Sequence, residues 1–161
     1  MRKYCFLPKM LMIWPYLVLL VPLFIFLFPD NGPVIMWYMR IYSMVTIPAV
    51  YLSNVAVVCF LKNADPNELA VWNLRLKLVH IPFYLLGLSF SFAIMIFAPA
   101  IYILEWILMM TTSAYGIRAT IQAGKLKRLT NVETVLLILG HCFFVTDVLC
   151  AGTLRKKLDT P

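Results

Sequence analysis

The chain has 161 residues, 63% of them hydrophobic and 13% charged, where a typical soluble domain carries about 45–50% apolar and about 25% charged residues. That balance argues against an ordinary water-facing globule, and the apolar runs of twenty residues and more lead to the expectation of a lipid-solvated chain. The net charge of +7, from 14 Lys and Arg against 7 Asp and Glu, sits mainly at the ends of those runs, where it would fix orientation; no basic helix or zinc finger supports a nucleic-acid partner.

The first apolar run, 10–29, follows Arg2, Lys3 and Lys9. It is longer than a secretory h-region and ends in Pro-Asp-Asn-Gly-Pro rather than a small-residue cleavage site, so it is expected to be an uncleaved first span, bent at Pro15 and Pro22. The dense turn chemistry of residues 29–33 reverses the chain. A second span follows at 34–61, with Trp37, Tyr38 and Tyr42 suited to a membrane interface and Arg40 able to snorkel toward headgroups.

Residues 62–74, KNADPNELAVWNL, form the most polar stretch and read as a loop in which Asp65 or Asn67 caps a helix. The third and fourth spans are expected at 77–97 and 100–121, joined as a hairpin at Ala98-Pro99, because about 45 residues of unbroken helix would measure about 65 Å. Gly124 reads as a helix stop, and Thr130 with Glu133 as a capping box opening a fifth span at 132–153. The four cysteines, Cys5, Cys59, Cys142 and Cys150, show no Cys-x-x-Cys spacing and read as buried apolar thiols.

The expected fold is therefore all-α: one integral-membrane domain over 1–161, a polytopic transmembrane bundle of five spans, or four if one segment does not fully cross. Blocks of Lys and Arg alternate so as to place the N-terminus in the cytoplasm, with Arg155, Lys156 and Lys157 the exception. The corresponding location is a cell membrane, of the bacterial inner-membrane kind.

In the five-span reading Arg40, Glu105 and Asp147 fall at one depth, roughly 8–9 Å below the outer boundary at 1.5 Å per residue. They form a candidate intramembrane polar cluster of two acids about one base. It reads either as an ion pair that sets helix register or as a functional polar site. His80, Asn54 and His141 are candidates for secondary polar packing, and His80 is placed to donate to a carbonyl left free by Pro82. Thr112, Gly116 and Ala119 share a face with Glu105, as Gly140 and Ala151 do with Asp147, so the backbones there can approach closely.

The stretches NLRLKLVHIPFYLLGL, FAPAIYILEWILMMTTSAYGIRATIQAGKLKR and FFVTDVLCAGTLRKK resemble a family of small uncharacterised multi-pass membrane proteins of Firmicutes-type bacteria. The shared pattern falls on Lys77, His80, Ile81, Pro82 and Tyr84, on Pro99 and Glu105, on Gly116, Arg118 and Ala119, and on Asp147, across roughly the C-terminal 60% of the chain. The resemblance implies a membrane protein and no known activity.

No catalytic motif, phosphate loop or metal-ligand spacing appears, so neither an enzyme nor a cofactor or metal is expected. The expected role is a binding or accessory component, of immunity, regulatory or assembly type, acting through a membrane-protein partner or as a homo-oligomer in the bilayer. A small transporter or channel using the polar cluster is the alternative.

Overall fold

The computed structural model describes residues 6–19, 27, 32–61, 64–93 and 98–159. The elements are all helical: α1 (Phe6–Ile13), continued by a 3₁₀ segment (Trp14–Leu19), then α2 (Gly32–Phe60), α3 (Pro66–Ala93), α4 (Ala98–Lys125), α5 (Asn131–Gly140) and α6 (Phe144–Asp159). No strand occurs among the described residues.

Local chemistry sets most helix ends. Pro33 and Pro66 stand in the first turns of α2 and α3, where a missing N–H costs nothing. The Asp65 carboxylate accepts from the Asn67 N–H at 3.2 Å, so the cap lies on Asp65 and the polar stretch expected to be a loop is helical from Pro66 onward. At the end of α4 the Arg128 N–H reaches the Ala123 carbonyl and the Lys127 N–H reaches that of Gly124, both at 3.0 Å. This is a Schellman closure, and its left-handed residue is Lys127, with φ of 57°; the stop is thus Lys127 rather than Gly124. Thr130 and Glu133 form the capping box that opens α5.

α3 and α4 run antiparallel, since Asn73 meets Gly116 while Lys77 meets Ser113. The reversal expected at Ala98-Pro99 lies partly outside the described residues, which resume at Ala98 with Pro99 in the first turn of α4. Pro15 lies in the 3₁₀ segment, whereas Pro22 and residues 29–31 lie outside the described residues. The core collects Leu11 from α1, Val57 from α2, Leu69 and Leu76 from α3, Tyr115 and Ala119 from α4, and Leu154 and Leu158 from α6. Tyr38 and Tyr42 donate their hydroxyls to the Leu17 and Trp14 carbonyls at 2.5 and 3.4 Å. They tie α2 to the 3₁₀ segment instead of marking an interface.

The transmembrane expectation is overturned. Among the described residues no helix is long and apolar enough to cross a membrane. Polar and charged side chains interrupt the long helices: Arg40 and Asn54 in α2, Arg75, Lys77 and His80 in α3, and Glu105, Thr111, Thr112, Ser113 and Arg118 in α4. The stretch expected as a fifth span is broken at residues 141–143 into α5 and α6. The five-span or four-span bundle, the multi-pass cell-membrane location, the inner-membrane assignment and the cytoplasmic N-terminus all rested on those spans and fall with them. So does the common depth that grouped Arg40, Glu105 and Asp147.

Candidate functional site

The helix break at residues 141–143 builds a polar centre between α3, α4 and α6. Gly140 ends α5, and the Thr146 hydroxyl turns back to the Gly140 carbonyl at 2.8 Å and to that of Phe143 at 3.2 Å. The chain then re-enters helix at Phe144 with Asp147 in the first turn, where the helix dipole favours an acid. This puts two groups of one apolar segment face to face: His141 Nδ1 lies 2.7 Å from Asp147 Oδ1.

Asp147 Oδ2 receives Lys77 Nζ from α3 and lies 2.9 Å from Ser113 Oγ of α4; Lys77 also donates to Ser113 at 3.2 Å. Lys77, His141 and Asp147 are no more than 2% exposed, and Ser113 is fully buried. Burial pulls the Lys77 ammonium below its ordinary range, and the neighbouring Asp147 carboxylate pulls it back up. A carboxylate that accepts from Nδ1–H fixes the histidine tautomer and leaves Nε2 as the acceptor. That Nε2 and both polar atoms of the Asn73 amide are buried without a hydrogen-bond partner among the described residues.

Gly116 allows this convergence. A Cβ built there would stand 2.6 Å from Asn73 Nδ2 and 2.6 Å from His141 Cε1, closer than any real side chain tolerates. Gly140 makes a similar close pass against Cys150. Both were expected as small residues permitting close approach, and the structure supplies the groups that approach them.

The residues expected to act together part company. Asp147 is paired, but with Lys77 and His141. Glu105 is 4% exposed, with Oε1 unpartnered among the described residues, and burial raises its carboxyl to about 6. Arg40 is exposed on α2, its guanidinium 5.9 Å from the centre of the Trp37 ring. Of the secondary candidates, His141 joins the centre. Asn54 donates to Thr111 at 3.2 Å and so links α2 to α4. His80 Nδ1 donates to the Leu76 carbonyl at 2.5 Å; the carbonyl that Pro82 leaves free, four residues before it, is that of Leu78. Cys59 is exposed, contrary to the expectation of buried thiols, while Cys142 and Cys150 are half-buried.

Sequence reasoning missed Ser113 and, as a site residue, Lys77. The signal for Lys77 was present in the spacing: two residues from Arg75 is about 200° around a helix, so when Arg75 faces outward Lys77 faces inward. Chemically the centre is a closed, nearly neutral array. Its carboxylate is satisfied from three helical segments, and removing one member strands a buried charge.

A family described as one of unknown function, DUF6652, matches residues 4–160. The chain belongs to this family. The match spans nearly the whole length, beyond the C-terminal 60% on which a resemblance to an uncharacterised family was read. No curated protein and no solved structure matches the chain. Lys77, His141 and Asp147 therefore lie within the DUF6652 match, as does the whole of α2.

Proposed function

We propose that the chain is a binding or accessory component that works by docking an apolar helix of a partner protein along the outer side of α2. One observation carries this reading. Val34, Trp37, Ile41, Met44, Pro48, Tyr51, Val55 and Val58 are all exposed, and their positions step by three and four without a break. Such a 3–4 repeat drifts only slowly around a helix and keeps these residues on one side of α2, across the interior Pro48. Over these residues it runs about 36 Å at 1.5 Å per residue. Met44 and Tyr51 are 72% and 69% exposed, and a contiguous apolar strip of this length marks an interaction surface rather than scattered apolar residues. A partner helix crossing at about 20° would interleave its own ridges with the strip.

A photo-crosslinking residue introduced at Met44 or Tyr51 in cells tests this. The expected result is one discrete protein adduct whose cross-links fall three and four residues apart in one helix of the partner; a second copy of the chain would appear at twice its own mass. The paired substitutions Ile41→Glu and Val55→Glu should abolish the adduct. An equal yield from a crosslinker at exposed Lys125, or no adduct at all, removes the reading.

A further inference from the structure

A cavity of about 350 Å³ lies beside the polar centre, walled by Ile81, Tyr84, Leu85, Met109, Val148 and Leu149 and bounded also by Lys77 and Asp147. Its size falls within the range of small-molecule sites, which are mostly apolar with a few convergent polar groups. We propose that this cavity binds a small, neutral, largely apolar molecule carrying one hydrogen-bond acceptor, of the class of ketones and alcohols. The site is separate from the outer seam of α2 and does not depend on it.

Charge decides that the ligand is neutral. The Lys77 ammonium and the Asp147 carboxylate already compensate each other. An anionic ligand would have to draw Lys77 away and leave a buried carboxylate short of its cation, and a cationic ligand would do the reverse. Hydrogen-bond capacity decides that it is an acceptor. An ammonium has three N–H donors, and Asp147 and Ser113 take two. Asp147 already takes three hydrogen bonds of the about four it can accept, from Lys77 and Ser113 on one oxygen and His141 on the other. Among the described residues the polar capacity toward the cavity is therefore mainly donor, the remaining Lys77 N–H beside the Tyr84 hydroxyl, and the apolar walls set the character of the rest of the ligand.

The test uses the full chain labelled with ¹³C at its methionine methyls, with the Met109 signal identified by Met109→Leu. Acetophenone supplies an acceptor, ethylbenzene is its near-isostere without one, and benzoate is the anion. Acetophenone should shift the Met109 methyl saturably and bind about tenfold or more tightly than ethylbenzene, the increment of a hydrogen bond from a charged donor; benzoate should bind no better than ethylbenzene. Val148→Trp should fill the cavity and abolish the acetophenone shift with the far-ultraviolet circular dichroism unchanged. Equal affinities for acetophenone and ethylbenzene, preference for benzoate, absence of a saturable shift, or undiminished binding in a folded Val148→Trp chain each overturn the proposal.

Discussion

The centre of the molecule and the outer side of α2 invert the common distribution of side chains. Lys77, Ser113, His141 and Asp147 are charged or polar and buried, whereas Val34, Trp37, Ile41, Met44, Tyr51 and Val55 are apolar and exposed. The two regions also differ in what holds them. At the centre Lys77, Ser113, His141 and Asp147 hold one another by hydrogen bonds, so their positions are fixed from within. Along α2 the tyrosines and Asn54 anchor the inner side, and the seam on the outer side is left exposed by the described residues. Substitutions at the centre should therefore be read in stability, and those on α2 in association.

The largest break in that contrast comes from Lys77→Met. It leaves the Asp147 carboxylate buried without its cation, and chemical denaturation should show a loss of about 3–5 kcal/mol. Pairing it with Asp147→Leu should recover a large part of the loss; simple additivity of the two single effects would mean that the residues are not coupled. Gly116→Ala comes next. Its methyl group meets Asn73 and His141 at 2.6 Å, so the expected cost is about 1–3 kcal/mol from overpacking, and an unchanged midpoint would show that this crossing is looser than described.

Glu105 should give a pH dependence of at most about 2 kcal/mol. Burial lifts its carboxyl from 4.5 to about 6, so the folded chain holds a proton that the unfolded chain releases earlier. Stability from this group is highest below pH about 4.5, falls as the pH rises to about 6 and is level above that. Glu105→Gln should flatten this slope in denaturation series across pH 4–7, and an identical slope in the variant would exclude Glu105 as its source. The smallest effect on folding belongs to α2: Ile41→Glu with Met44→Glu should move the unfolding free energy of the isolated chain by no more than about 0.5 kcal/mol each. A loss of several kcal/mol would show that the outer side is part of the fold after all.

Much of the helical layout is legible in the sequence because apolar runs, prolines and one capping box mark it. Thr130 with Glu133 is local chemistry and needs no tertiary context. The membrane reading took hydropathy averaged over each run and discounted the polar residues inside it, which the folded chain sets at helix contacts. Asp147, His141 and Gly116 could be singled out because they are unusual in apolar surroundings. Their association could not, since it depends on the break at residues 141–143, and Gly140 in an apolar stretch reads equally well as a packing glycine. Lys77 was hidden by its neighbour: next to Arg75 it looks like one more flanking cation, and only the position of α6 makes it a partner.

That pairing has a temporal side. Lys77 and Asp147 are separated by 70 positions, and α6 is made after α3 and α4 as the chain grows from its N-terminus. Until those sixteen residues arrive, α3 and α4 can come together only around an ammonium that lacks its counter-charge. Helix α6 therefore acts as a closing step: a nascent or truncated chain ending before Asp147 can pair α3 with α4 but cannot complete the interior between them, so this centre closes only once α6 has been made.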